Sequence, residues 1–174
     1  LGSYYTPPRS APTATRTEGL LAAYPLLRDH GDKEEAARAL PVLPDTGPML
    51  TAADVATATD ALRAFQPLHD QTHAVHAAGF LMPRQGIVLA REDVGRHNAL
   101  DKAIGKIFLQ RKLDQVALLT LSSRISYELV QKAARAKLPV IFAHSRPTAL
   151  AVELASQLNI TLASLDDDDN GLYV

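Results

Sequence analysis

Three short stretches of the chain concentrate groups that can do chemistry. They are Arg91-Glu92-Asp93-Val94-Gly95-Arg96-His97-Asn98-Ala99-Leu100-Asp101-Lys102, Ser122-Ser123-Arg124-Ile125-Ser126-Tyr127-Glu128, and His144-Ser145-Arg146-Pro147-Thr148. Together they offer guanidinium groups, hydroxyls, a carboxamide and, wherever a helix begins, unpaired backbone N–H groups. That is the equipment for holding a phosphate or another oxyanion. The candidate ligand contacts are Glu92, Asp93, Arg96, His97, Asn98, Asp101 and Lys102 from the first stretch, Ser122, Arg124 and Ser126 from the second, and Ser145 and Thr148 from the third. His76 joins them as a polar contact from a neighbouring strand.

Each group also has a purely structural reading. Asp93 and Ser122 can cap the turns that follow them, Gly95 can supply a positive φ, and Arg96 can pair with Glu92 four residues back. His97 can be a packing histidine, and Asp101 and Lys102 an ordinary solvated helix face. Three polar junctions on one edge of a sheet favour a ligand over three coincidences.

Other chemistries are excluded by residue type. The chain has no cysteine, which removes disulfides, thiolate metal sites, thiol nucleophiles and persulfides together. His73 and His76 suggest a metal, but on a strand residues i and i+3 point to opposite faces, so no metal ligand and no zinc are expected. Asp166-Asp167-Asp168-Asp169 reads as a solvated charge run, with cation binding the minor alternative. Eighteen basic against nineteen acidic residues give a net charge of −1, so no field exists to hold nucleic acid. No apolar run approaches the ~20 residues of a membrane-spanning helix, and no basic stretch followed by an apolar one opens the chain. A cytoplasmic protein without membrane or nucleic-acid partners is the expectation.

The elements that must position these groups follow from patterning. At 47% hydrophobic and 21% charged, the 174 residues can build one core. Seven of the eleven prolines precede residue 51, so residues 1–31 read as a flexible Pro/Ser/Thr-rich arm and 32–174 as one domain. A short helix around Lys33–Leu40 is stopped by Pro41 and Pro44, and Thr51-Ala52-Ala53-Asp54 is a capping-box variant opening a helix through Ala64. His73–Phe80 and Gly86–Ala90 read as antiparallel strands joined by a turn. Helices are then expected at Asn98–Leu109, Ser126–Ala136 and Thr148–Leu158, alternating with strands at Val116–Leu121, Pro139–Ala143 and Ile160–Leu165. The pattern predicts an α/β domain with a mixed, mostly parallel sheet and helices on both faces. Right-handed crossovers then bring the three polar junctions to the carboxyl ends of the strands, where such sheets bind ligands.

These residues resemble a known family. Arg91 through Gly105, Val75-His76-Ala77-Ala78, Ser122 through Ala134 and Ser145 through Ala155 look like the signature blocks of the FdhD family, accessory proteins of formate dehydrogenase. The resemblance runs from about Lys33 to Leu165, with the family's N-terminal lobe expected to be missing or truncated. It implies a three-layer α/β/α, cytidine-deaminase-like fold, a homodimer, and binding of the molybdenum bis-guanine-dinucleotide cofactor, or a GDP-like nucleotide, on the polar edge. Family members are sulfurtransferases: they take sulfur from a cysteine desulfurase as a persulfide on a Cys-x-x-Cys motif and pass it to the cofactor before its insertion into formate dehydrogenase. Formate dehydrogenase and a cysteine desulfurase are therefore the implied partners.

This chain departs from the family pattern in three places. Tyr24-Pro25-Leu26-Leu27-Arg28-Asp29-His30-Gly31 stands where the cysteine motif belongs, Ser123 where a glycine is usual, and Asp166 through Asp169 where a basic segment is expected. Deaminase chemistry is excluded too, because zinc deaminases need His-x-Glu and Pro-Cys-x-x-Cys. The matching positions here are His97-Asn98-Ala99 and Ser123-Arg124-Ile125-Ser126. The expected function is an FdhD-like accessory protein that binds the cofactor with its sulfur transfer lost and no catalytic residue. The alternative is a dimeric interaction module without ligand.

Overall fold

The structure, a computed structural model, describes residues 40–45, 50–165 and 172–173. The expected N-terminal arm, the helix before Leu40, the Tyr24–Gly31 stretch and the Asp166–Asp169 run lie outside the described residues. Thr51 Oγ1 accepts from the Asp54 N–H at 3.1 Å and the Asp54 carboxylate accepts from the Thr51 N–H at 2.8 Å. This reciprocal cap opens helix α1 (Ala52–Arg63) as the sequence predicts.

Helix α2 (Pro67–Thr72) was not expected. Pro67 starts it with a preset φ, and His73 ends it in the left-handed region (φ 49°), so the strand predicted from His73 begins only at His76. Strand β1 (His76–Met82) turns into β2 (Gly86–Asp93), then come α3 (Arg96–Leu109), a 3₁₀ turn at Leu113–Gln115, β3 (Leu118–Leu121), α4 (Tyr127–Arg135), β4 (Val140–Ala143), α5 (Ala149–Leu158) and β5 (Thr161–Leu165). A two-residue strand β6 (Leu172–Tyr173) pairs with Ser164 and Leu165 and adds a member that patterning did not foresee. Strand β2 also runs to Asp93, three residues past its expected end. Arg91, Glu92 and Asp93 pair in register with Ala78, Ala77 and His76, because the outer edge of β2 is unpaired and tolerates polar side chains.

The sheet order is β2-β1-β3-β4-β5-β6, with β1 antiparallel to both β2 and β3, β3-β4-β5 parallel, and β6 antiparallel to β5. The three crossovers β2-α3-β3, β3-α4-β4 and β4-α5-β5 all step the same way across the sheet. With a common right-handed sense they place α3, α4 and α5 on one face. Leu100, Ile104, Leu129, Ala133, Ala151 and Leu154 from those helices pack there with Phe80, Leu119, Leu121 and Ile141. Strand alternation sends Leu81, Leu118 and Phe142 to the other face, where Val55 and Ala58 of α1 cover them. The helices are therefore divided unevenly between the two faces, three on one and α1 on the other. Gly79 admits α1 at close range, since a Cβ there would lie 2.7 Å from Leu62 Cδ1.

Candidate functional site

Strands β2, β3, β4 and β5 run in one direction, so their carboxyl ends share an edge with the amino end of β1. That edge gathers the three polar junctions. Ser122 stitches the second junction to β1: its Oγ accepts from the Ala77 N–H at 2.7 Å and its N–H donates to the Ala77 carbonyl at 3.0 Å. The Thr148 N–H donates to the Ile125 carbonyl at 3.1 Å and joins the third junction to the second. Thr148 also caps α5, its Oγ1 accepting from the Ala151 N–H at 3.3 Å.

Asp93 is the hub of the first junction. Its carboxylate, 8% exposed, pairs with Lys102 and accepts from the Gly95 N–H at 2.9 Å and from Asn98 Nδ2 at 3.2 Å. Burial pushes this carboxyl up, but the Lys102 ammonium and the two other donors outweigh it and hold it below the usual carboxylate range. Lys102 also donates to the Glu92 carbonyl at 3.2 Å. Gly95 caps α3 at φ −94°, not at the positive φ the sequence suggested. Its lack of a side chain matters for space, because a Cβ would stand 3.2 Å from Asn98 Nδ2. One turn on, Lys132 of α4 grips both oxygens of Asp101 at 2.6 and 2.7 Å and clamps α4 to α3. Asp101 and Lys102 thus face partners in the protein instead of forming a solvated face.

Glu92 does not pair with Arg96. Its buried carboxylate accepts from the Leu68 and His69 N–H groups at 2.9 and 2.8 Å and caps α2 from across the sheet edge. Glu92→Ala should therefore cost about 2 kcal/mol by loss of charge-assisted bonds to two N–H groups. Urea denaturation checks this, and a shift below about 0.5 kcal/mol would show that water replaces the carboxylate at no cost.

Among the described residues Arg96 Nε finds no acceptor. Its Nε is enclosed and makes no hydrogen bond, and the same holds for Ser126 Oγ at the first residue before α4, a position 5% exposed. Arg96 acts on two imidazoles. Burial and then the Arg96 and His69 charges hold His76 below the ordinary value of 6.5. Burial, Arg96 and Lys132 do the same to His97 against the opposing pull of Glu128 and Asp101. Both rings are neutral near pH 7. A folded-state value below the unfolded one means stability that is complete above pH 6.5 and lost as pH falls through the lowered values. The urea midpoint should fall as pH drops from about 7.5 to 5, and His97→Asn should flatten that fall; an identical slope in the variant would clear His97 of the effect.

Arg124 and Ser145 are exposed on the same edge, and Asn98 is exposed beside Asp93. Patterning missed Lys132 and His69. Lys132 is 31 residues from its partner, and the only local signal was its shared helix face with Glu128. Among the described residues, no group of three or more His, Cys, Asp or Glu is placed to hold a metal, and no helix is long and apolar enough to cross a membrane.

The FdhD/NarQ family profile matches residues 27–170. A protein named sulfur carrier protein FdhD from Brucella abortus is 46% identical over 116 residues, which is 67% of this chain and 43% of the relative. One of the same name from Agrobacterium fabrum is 44% identical over 132 residues, 76% of this chain and 49% of the relative. A crystal structure provisionally described as a formate dehydrogenase accessory protein from Desulfotalea psychrophila superposes with a TM-score of 0.66 at 30% identity, covering 80% of this chain and 58% of that one. The chain spans less than half the length of the two curated relatives. The family profile covers most of its residues, and on that ground the chain belongs to the FdhD/NarQ family.

Proposed function

We propose that this chain serves as an FdhD-like accessory factor in formate dehydrogenase maturation, holding the guanine-dinucleotide form of the molybdenum cofactor as cargo on the carboxyl edge of its sheet, without passing sulfur through residues of its own. The observation that carries this reading is the pair of enclosed, unpartnered donors, Arg96 Nε and Ser126 Oγ, at the starts of α3 and α4. Buried polar groups are nearly always satisfied, and a bound oxyanion satisfies both. The donor set suits a diphosphate. Asp93 and Asp101 are neutralised by Lys102 and Lys132, which leaves Arg96 and the exposed Arg124 as the charges facing a ligand.

The fold is of the cytidine-deaminase-like kind, supported by the mixed sheet and by α3 and α4 both starting from the carboxyl edge of its strands. Zinc chemistry is not part of the proposal, since Ala99 and Ser123-Arg124-Ile125-Ser126 replace the residues it needs. The protein works as a cytoplasmic homodimer that delivers cargo to formate dehydrogenase, with a cysteine desulfurase as the sulfur source of the wider pathway. The description of the Desulfotalea psychrophila protein supports formate dehydrogenase as the partner, and the name sulfur carrier protein supports a sulfur source in the pathway.

Titration calorimetry with GDP tests the reading. A micromolar site needs about 8 kcal/mol, within reach of several charge-assisted contacts at ~1.5–3 kcal/mol each. Arg124→Ala should weaken binding by roughly ten- to a hundredfold. No heat at millimolar GDP would leave the ligand-free interaction module as the better description.

A further inference from the structure

We propose that His69 and His73 form a two-imidazole chelate for a divalent transition-metal ion of the Cu(II) and Zn(II) class, with water in its remaining positions. The site stands apart from the nucleotide reading and does not depend on it. Patterning paired His73 with His76 on a strand, where the two side chains would point to opposite faces. The fold gives His73 a different partner.

His73 ends α2 instead of opening β1. Its N–H donates to the His69 carbonyl at 2.8 Å, so the two histidines stand at i and i+4 across the last helical turn, the spacing that brings two imidazoles to one metal on a helix face. Their ring centroids are 5.3 Å apart. Two nitrogens about 2.0–2.1 Å from one ion, with each ring centre about 1.1 Å further back, set the centroids about 4.5 Å apart at a right-angled N–metal–N arrangement and about 5.2 Å apart at a tetrahedral one. The separation present in the protein matches the tetrahedral figure with no movement of α2. The rings meet edge to face at 87°, and His73 is exposed, so rotation about its side-chain bonds turns a nitrogen toward the shared ion.

The surroundings set what kind of site this is. Asp70 lies between the two histidines in sequence, but Arg63 takes its carboxylate at 3.0 Å. Among the described residues no third His, Cys, Asp or Glu completes the ligand set, which leaves the other positions to water. His69 Nδ1 is enclosed and has no hydrogen-bond partner among the described residues, so Nε2 is the ligating atom and the outer shell lacks a bond to the other ring nitrogen. Such outer-shell partners are worth about ten- to a hundredfold in metal affinity, so the ion exchanges readily and is not a permanent structural metal. Imidazole donors favour Cu(II) over Zn(II) and reject Mg(II), which demands oxygen. A bound ion also staples the last turn of α2, a six-residue helix with no buried residue of its own, so occupancy stabilises the folded protein.

Titration calorimetry of the whole chain, free of any purification tag, tests this with copper(II), zinc(II) and magnesium chlorides. Copper should bind more tightly than zinc, and magnesium should give no heat. His69→Gln or His73→Gln should weaken copper binding by about tenfold or more, since a lost ligand costs at least as much as a lost outer-shell partner. His144→Gln, at an exposed histidine outside the pair, should leave the affinity unchanged. Zinc should raise the unfolding temperature of the parent chain and not that of His73→Gln. Electron paramagnetic resonance of the copper complex should show coupling to two imidazole nitrogens, a readout that needs no variant and decides the matter even where a substitution impairs folding. Equal copper affinity in the parent chain and both variants of the pair, coupling to a single nitrogen, or no heat with copper and zinc at millimolar concentration overturns the chelate.

Discussion

Asp93→Ala should destabilise the protein by about 3–5 kcal/mol, the range for breaking a buried ion pair by removing one partner. Lys102 is 11% exposed, and among the described residues its ammonium has two acceptors, the Asp93 carboxylate and the Glu92 carbonyl. Taking away the carboxylate leaves a cation enclosed between β2 and α3, and strips the Gly95 N–H and Asn98 Nδ2 of their acceptor at the helix start. Asp93→Ala with Lys102→Met should recover most of the loss, since no uncompensated charge then remains. Asp93→Asn should fall between, because the amide oxygen can still accept from Gly95. Chemical denaturation of the three variants measures the order. A loss below about 1 kcal/mol in Asp93→Ala would mean that Lys102 swings out to water.

The same hub shows what was legible in the sequence. The strand-helix alternation from Val116 onward is visible in periodicity, because each apolar run of strand length is followed by a helix with one buried stripe, as in Leu129, Val130, Ala133 and Ala134 of α4. Right-handed crossovers then fix which loops share an edge, so the convergence of the three junctions needed no side-chain information. The roles inside the first junction were not legible. Glu92 and Arg96 are four residues apart, but Glu92 ends a strand and Arg96 begins a helix, so the helical pairing rule does not apply to them. Glu92 instead caps α2, which lies 23 and 24 residues back in the chain and carries no buried apolar stripe to announce it. Lys132 and Asp101 meet only because α3 and α4 are packed side by side on the sheet. Such partners are properties of the tertiary fold, and no local window contains both ends.

Incubated with a cysteine desulfurase, cysteine and radiolabelled sulfur, the 174-residue chain should acquire no reductant-labile label, even in a preparation that gives a binding heat with GDP. Sulfane-sulfur carriage needs a thiolate that attacks, holds the sulfur as a persulfide and releases it to the next acceptor. The sequence contains no cysteine and two methionines. A thioether has no proton to lose and cannot form a persulfide. The hydroxyls of Ser122, Ser123 and Ser126 stand on the carboxyl edge of the sheet, but Ser122 is engaged with the Ala77 N–H and Ser123 with the Arg124 carbonyl, and a hydroxyl forms no stable sulfur adduct. The groups proposed to meet the cargo, Arg96, Ser126 and Arg124, would contact its charge and form no bond to sulfur. On the proposed reading cargo holding and sulfur carriage are separate tasks, and these 174 residues include no thiol for the second. A reductant-labile label on it would overturn that separation, and a chain that takes neither label nor GDP would show that the edge holds no nucleotide cargo either.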